Sequence, residues 1–308
     1  MPAVFAHLHA EQPLKAFLDA LTQGLLAHHL SDEEAQREAL LVAEKALILS
    51  PLELLAQQTK PLSSFAHHAR FVTWAQRRLQ GELLSRLQGE RAFWKDTFVI
   101  TPDVLDPRPE TEQLVACALQ HFALKPPQRF LELGAGSGCL VCSLLKEWPK
   151  TKAVAVDLSA KALLVTAKNA VALVVDKRLQ LLKGSWFQAL SVEEGVFDLI
   201  VSNPPYIATK DLAHLAAEVR LFDPSLALDG GAQGLSAIKE ILEGASAFLT
   251  PQGLLLVEIG FDQKEAVLSF AKDFFEDCAV MQDLAGHDRV LVCKRPRQKL
   301  KQQSDQRQ

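Results

Sequence analysis

Apolar and polar positions follow two different rhythms along this chain. Over roughly the first 90 residues the apolar positions recur three and four apart, the period of a helix face. Ser31-Asp32-Glu33-Glu34 reads as a capping box, a serine cap with a glutamate three residues on, and Ala39, Val42, Ala43, Ala46 and Leu47 follow at helical spacing. Ser50-Pro51 restarts a helix with proline at its favoured first position. A third segment is expected from Ser63 to Gln80, stopped by Gly81. Phe65, Phe71, Val72 and Trp74 read as packing between these helices. The pairs His28-His29 and His67-His68 read as surface or packing residues, because adjacent helical positions point apart.

From Ala92 to Thr101 the rhythm changes to two short strands around Lys95-Asp96, a hairpin linking two domains. Pro102, Pro107 and Pro109 punctuate the next stretch, and Glu110 and Glu112 sit in the first turn of a helix continued by Leu114, Val115 and Ala118. After Lys125-Pro126-Pro127 strands and helices alternate. Strands are expected at Phe130–Leu133, Ala153–Val156, Leu179–Leu182, Phe197–Ser202, Leu254–Ile259, Ala279–Gln282 and Arg289–Cys293. Helices are expected at Cys139–Trp148, Ala160–Asn169 (behind the Ser159 cap), Ser236–Leu249 and Gln263–Phe275. The alternation implies an α/β fold whose parallel sheet is covered on both faces. The last two strands lack a helix between them, so they form a hairpin and the last strand runs antiparallel to its neighbour. The expected organisation is a helical domain (1–90), a hairpin linker (91–104), an α/β domain (105–295) and a disordered basic tail (296–308).

Composition narrows the picture. A chain of 308 residues, 48% hydrophobic and 23% charged, has the balance of a soluble globular protein. No stretch approaches the ~20 apolar residues of a membrane helix, and the N-terminus resembles neither a secretory signal nor a transit peptide, so a cytoplasmic location is expected. Net charge is −4; from Lys294 onward the tail holds six basic and one acidic side chain, which leaves 27 basic against 36 acidic in the body. A body of −9 lacks the basic footprint of a duplex-binding protein, and no stable nucleic-acid partner is expected. The tail has two readings, a solvated segment and an RNA contact, of which the first is preferred. Five scattered cysteines suit a reducing compartment. Cys139 and Cys142 form a C-x-x-C at a helix start, where a redox role is conceivable. Zinc would need two further ligands at suitable spacing, so the pair reads as packing and no metal is expected.

Two constellations carry chemistry. Leu131-Glu132-Leu133-Gly134-Ala135-Gly136-Ser137-Gly138 follows a strand and opens a helix, and Asp157 ends the next strand 19 residues after Gly138. Glycines allow a sharp turn and close approach of a ligand, and the aspartate can accept hydrogen bonds from both ribose hydroxyls of a nucleoside. Gly-x-Gly-x-Gly lacks the third glycine of a dinucleotide loop, and Glu132 would repel phosphate. A cationic nucleoside such as S-adenosylmethionine suits the loop better. The second constellation is Asn203-Pro204-Pro205-Tyr206, which ends the fourth strand of the sheet and contains the chain's one tyrosine. The Asn203 side-chain carbonyl and the Pro204 backbone carbonyl, stiffened by proline, are two acceptors that can hold an NH2 group by both hydrogens. Tyr206 offers a flat face to a planar amide or base. Acceptors there would stabilise positive charge developing on nitrogen during methyl transfer, without a histidine base.

With both constellations in view the chain resembles class I S-adenosylmethionine-dependent methyltransferases, and the Asn-Pro-Pro-Tyr run narrows this to enzymes that methylate a planar amino group. Leu105-Asp106-Pro107-Arg108-Pro109-Glu110-Thr111-Glu112 is similar to the signature of the PrmC/HemK family, the peptide chain release factor N5-glutamine methyltransferases. Ser185-Trp186-Phe187, Leu228-Asp229-Gly230-Gly231 with Gly234-Leu235, Glu258-Ile259-Gly260 and Leu284-Ala285-Gly286-His287-Asp288-Arg289 are similar to further blocks of that family. The resemblance implies a Rossmann-like, seven-stranded sheet with a small N-terminal helical domain that helps dock the substrate. It implies cofactor contacts at Gly134, Ala135, Gly136, Ser137, Gly138, Asp157, Trp186 and Asn203, with Trp186 flanking the adenine. Substrate binding falls to Asn203, Pro204, Pro205 and Tyr206, and catalysis to Asn203, Pro204 and Tyr206. The implied substrate is the glutamine of the Gly-Gly-Gln motif of class 1 release factors, and a monomer is expected. Rivals are a sister enzyme acting on a ribosomal-protein glutamine, a DNA adenine-N6 methyltransferase, and a cofactor-binding module without activity. Asp106, Asp223 and the missing proline after Glu82 depart from the usual family pattern. The role of Arg108 is left open.

Overall fold

The computed structural model describes residues 5, 8–27, 30–191, 195–283 and 285–297. His28, His29, Leu284 and the basic tail from residue 298 lie outside the described residues. The chain divides into two compact units, Met1–Gly89 and Glu90–Gln308.

The first unit is helical: α1 (Leu14–Leu26), α2 (Asp32–Leu47), α3 (Pro51–Ala56), α4 (His68–Arg78) and α5 (Leu84–Gln88). The α1 face of Leu14, Phe17, Leu18, Leu21 and Leu25 shares one buried cluster with Ala39, Val42, Ala43 and Ala46 of α2. Ser31 and Ser50 both complete capping boxes, each with the glutamate three residues on, so the sequence signal at these starts is physical. Helix α4 starts later than the expected Ser63. Leu62–Ser64 instead form a 3-10 turn, in which the Ser64 hydroxyl donates to the Pro61 carbonyl at 2.6 Å. That local bond competes with helix propagation.

The second unit opens with the hairpin β1 (Glu90–Phe93) and β2 (Asp96–Val99). Its turn is Trp94-Lys95 rather than Lys95-Asp96, with Trp94 at φ 56°. An aromatic residue is no turn-former. Here Trp94 is held in place because its backbone N–H donates to Glu112 at 2.8 Å and its indole N–H to Glu147 at 2.7 Å. Phe93 and Phe98 pack edge-to-face and enter the main core.

The rest of the unit runs α6 (Glu112–His121), β3 (Arg129–Leu133), α7 (Cys139–Glu147), β4 (Lys152–Asp157), α8 (Ala160–Ala172), β5 (Leu179–Lys183), β6 (Phe197–Ser202), α9 (Ala217–Phe222), α10 (Ser236–Phe248), β7 (Leu249–Glu258), α11 (Lys264–Ala271), β8 (Phe275–Gln282) and β9 (Asp288–Pro296). Seven strands form one sheet in the order β5-β4-β3-β6-β7-β9-β8. Strand β9 is antiparallel to both its neighbours and sits between β7 and β8, so the closing hairpin inserts its last strand into the sheet. Helix α11 ends four residues short of the expected Phe275. Phe274 and Phe275 continue the apolar run, but Phe275 is fully buried as the first residue of β8, paired opposite Pro296.

Both faces of the sheet are covered. Phe130, Ala153, Ala155, Leu199 and Val201 pack into one core, and Leu131, Leu133, Val154, Val156 and Ile200 into the other. This explains why the strands read as continuous apolar runs. The chain leaves β3 toward β4 and β5 and then returns to pair β6 on the other side of β3. That reversal opens a crevice at the carboxyl ends of β3 and β6, where open α/β sheets bind their ligands.

Candidate active site

The loop after β3 and the segment after β6 meet at this crevice. Gly134, Gly136 and Gly138 all hold positive φ, at 77°, 55° and 77°, a run that side chains would strain. A cavity of about 540 Å³ in front of them is lined by Gly134, Ala135, Gly136, Ser137, Asp157, Trp186, Asn203 and Pro205, among others. Gly138 shapes the loop from behind: its N–H donates to the Ala135 carbonyl at 2.7 Å, and a Cβ there would lie 2.7 Å from Thr166. The loop is fastened from α8 as well. The Thr166 hydroxyl donates to the Gly136 carbonyl at 3.0 Å, and the buried Asn169 amide donates to the Ser137 carbonyl at 2.8 Å. Asn169 also exchanges two hydrogen bonds with the backbone of Val99, tying β2 to the same loop.

Asp157 ends β4 and accepts from the Gly136 N–H at 2.9 Å and the Ser159 N–H at 2.8 Å. Burial raises its carboxyl above the ordinary aspartate value, and those two N–H groups pull it back down. Each of its oxygens keeps capacity for a further donor. Trp186 is half-buried at φ 44°, an uncommon conformation for a bulky residue, and its ring faces Gly134. Strain of this kind persists where the surroundings hold it, often at ligand sites.

Glu132, the residue expected to repel phosphate, is buried. Its side chain is 1% exposed and accepts from the Val141 N–H at the start of α7. Burial pushes the carboxyl well above the usual range, and the Val141 N–H pulls against it. Cys139 and Cys142 are buried thiols: burial pushes Cys139 up to about 12 and raises Cys142 as well. They pack α7 against the sheet. Among the described residues no cluster of His, Cys, Asp and Glu could hold a metal ion, and no helix is long and apolar enough to cross a membrane.

A second cavity of about 260 Å³ adjoins the first. It is lined by Arg108, Glu110, Asn203, Tyr206, Glu258 and Arg289, among others. Asn203 lines both cavities. Its Nδ2 donates to Thr111 Oγ1 at 2.9 Å, which leaves Oδ1 as the end of the amide that can accept. The Tyr206 hydroxyl donates to Glu258 Oε1 at 3.2 Å, and burial keeps that phenol protonated. Pro204 is buried and lines neither cavity.

Several residues that build this corner carry no local sequence signal beyond their similarity to family blocks. Gln263 donates through Nε2 to the carbonyls of Tyr206 and Gly234, at 2.9 and 3.0 Å, and accepts from the Gly260 N–H. Gly234 must be glycine: its φ is 71° and a Cβ would lie 2.3 Å from the Tyr206 carbonyl oxygen. Ile207 pairs with Leu228 and Gly230 through backbone bonds of 3.1 and 2.8 Å. Arg108 lines both cavities and forms an ion pair of 2.7 Å with Asp223, whose side chain is 1% exposed. Asp223 also accepts from the Asp106 N–H, so two of the departures from the family pattern lie side by side.

A seven-stranded sheet with β9 antiparallel, a glycine loop after β3 and an Asn-Pro-Pro-Tyr corner after β6 define a class I methyltransferase domain, and the Methyltransferase small domain family matches residues 112–288. The relatives identify the particular enzyme type. A release factor glutamine methyltransferase of Cereibacter sphaeroides is 43% identical over 265 residues, covering 86% of this chain and 92% of that one. The Bordetella pertussis enzyme of the same name is 41% identical over 268 residues (86% and 97%), and that of Thermosynechococcus vestitus 39% over 259 residues (80% and 87%). The chain belongs to the release factor glutamine methyltransferase family.

Proposed function

We propose that this chain transfers a methyl group from S-adenosylmethionine to the side-chain amide nitrogen of the glutamine in the Gly-Gly-Gln motif of class 1 release factors. The observation that carries the reading is Asn203, which lines both cavities with its amide orientation set by Thr111. The larger cavity has the size and lining for a nucleoside ligand. Asp157 keeps acceptor capacity for ribose hydroxyls, the open space at Gly136 admits a close ligand, and Trp186 supplies a flat wall for the adenine. S-adenosylmethionine, when bound, supplies an electrophilic methyl group.

The smaller cavity takes the glutamine. Asn203 Oδ1 accepts an amide hydrogen, Tyr206 flanks the plane of the amide, and the nitrogen is aimed at the larger cavity; the contacts expected of Pro204 and Pro205 are not carried over, because Pro204 lines neither cavity and Pro205 only the larger one. Methyl transfer is an in-line displacement, so positioning supplies most of the rate. The Asn203 acceptor also stabilises positive charge developing on the nitrogen. The helical unit of residues 1–89 is assigned to docking the release factor, and the enzyme to the cytoplasm, where translation ends.

The test uses labelled S-adenosylmethionine with, separately, a release factor, its Gln→Ala variant in Gly-Gly-Gln, ribosomal protein and DNA. Label is expected in the intact release factor alone. Label in DNA or ribosomal protein, or equal label in the Gln→Ala variant, would reject the reading.

A further inference from the structure

We propose that Glu258, buried in the lining of the second cavity, is the proton acceptor of the methyl transfer and takes the proton that the substrate amide nitrogen releases. The proposal rests on the reading that a glutamine amide is methylated in that cavity.

The chemistry releases a proton that such a group can take. The nitrogen lone pair forms the new N–CH3 bond as the S–CH3 bond breaks, and the electrons of the broken bond stay on sulfur, leaving S-adenosylhomocysteine. The nitrogen then bears a methyl group, two hydrogens and a positive charge. One hydrogen must leave as a proton to give the neutral N-methyl amide. Asn203 Oδ1 can accept a hydrogen bond, but an amide oxygen is too weakly basic to keep a proton at neutral pH.

Glu258 ends β7, next to β6 in the sheet, and its side chain is 1% exposed. Oε1 accepts from the Tyr206 hydroxyl, whereas Oε2 is buried with no hydrogen-bond partner among the described residues. A buried carboxylate oxygen without a donor is costly, and native structures rarely keep one without a use. Glu258 shares the lining of the second cavity with Asn203 and Tyr206, the residues assigned to hold the amide.

The other ionisable groups on that cavity are poor candidates. Arg108 and Arg289 are cations, held by Asp223 and Asp283. Tyr206 keeps its proton, and Glu110 is exposed to water. Burial raises the Glu258 carboxyl to about 7, with a small further push from Glu110, against opposing pulls from the Thr111 and Tyr206 hydroxyls and Arg289. A base poised there can take a proton and return it to solvent near neutral pH.

The experiment is single-turnover methyl transfer from labelled S-adenosylmethionine to a release factor, followed from about pH 5.5 to 8.5 so as to bracket the expected titration. Calorimetric affinities for cofactor and release factor are measured alongside. The unaltered enzyme is expected to speed up as pH rises through about 7 and then level off. Glu258→Gln is nearly isosteric and can still accept from Tyr206. It should lower the rate by roughly 10²–10⁴, remove the rising limb and leave both affinities unchanged. Tyr206→Phe removes a donor that favours the ionised carboxylate, so its rising limb should move to higher pH. A Glu258→Gln enzyme that keeps the rising limb, or a limb unmoved in Tyr206→Phe, would overturn the proposal alone. An unaltered enzyme that methylates no release factor would instead overturn the reading beneath it.

Discussion

The Asn203 amide donates to the Thr111 hydroxyl across 92 residues of chain, at 2.9 Å. A primary amide can flip and present its NH2 where its oxygen should be, which would turn an acceptor into a donor facing the substrate. Thr111 Oγ1, fixed at the start of α6, accepts from Nδ2 and leaves Oδ1 for the cavity. Thr111→Val keeps the shape and removes that acceptor. It should lower kcat by roughly 10–100-fold with cofactor affinity unchanged, since small misplacements at a reacting centre carry penalties of this size. Thr111→Ser should restore most of the loss. Equal kcat in the valine and serine variants would remove Thr111 from this role.

Asn203 itself should matter more. Asn203→Ala removes the acceptor rather than its orientation, and turnover is expected to fall by roughly 10²–10³, by analogy with the loss of one oxyanion-hole donor. Cofactor affinity should fall less, because most of the larger cavity's lining is untouched. Single-turnover rates measured beside calorimetric titration with S-adenosylmethionine separate the two effects. Full turnover in the variant would reject the amide clamp.

Asp157 has a double duty. It holds the Gly136 N–H and Ser159 N–H, and on the proposed function it also accepts from the ribose. Asp157→Ala should therefore weaken S-adenosylmethionine binding by about 1.5–3 kcal/mol, the worth of charge-assisted hydrogen bonds. Asp157→Asn keeps one carbonyl acceptor for the loop and should lose less. Calorimetry showing unchanged affinity in both variants would exclude the ribose contact.

The sequence made some of this legible and concealed the rest, for identifiable reasons. The strand ends at Leu133 and Ser202 announce themselves, because an apolar run buried on both faces stops at residues of special backbone chemistry. The caps at Ser31 and Ser50 are equally plain, since a capping box is closed within four residues. What stayed hidden depends on contacts between distant parts of the chain. Nothing near Thr111 points to Asn203, and nothing near Gln263 points to the Tyr206 carbonyl it holds. Glu258 ends an apolar strand, where local patterning cannot separate a buried acid from one at the surface. The insertion of β9 between β7 and β8 and the turn at Trp94 are likewise set by tertiary packing, which overrides local propensity.

Asn169 offers a test of the scaffold behind the cofactor loop. It is 1% exposed and makes three hydrogen bonds, two to Val99 and one to Ser137. Asn169→Ala would leave the buried Ser137 carbonyl and the half-buried N–H and carbonyl of Val99 without these partners. A loss of roughly 2–4 kcal/mol in unfolding free energy is expected, together with weaker S-adenosylmethionine binding, because the loop would lose its tie to α8. Denaturant unfolding and calorimetry read the two effects separately. Unchanged cofactor affinity despite lost stability would show that Thr166 alone suffices to hold the loop.

Glu258 also leaves a mark on stability that is independent of turnover. Its carboxyl is raised from 4.5 to about 7 on folding, first of all by burial. The folded state therefore binds the proton more tightly than the unfolded state. Stability linked to this proton is thus fully present below pH 4.5 and is lost as pH rises through about 7. Over that window the loss should be about 3 kcal/mol. Glu258→Gln carries no titrating proton at this position, so it should be more stable than the unaltered chain at pH 8 and nearly equal to it near pH 4, once the shared titrations of other groups cancel in the comparison. Urea unfolding of both proteins across that range measures the difference. If the stability difference stays flat with pH, Glu258 is not the raised carboxyl that its burial and unpartnered oxygen imply.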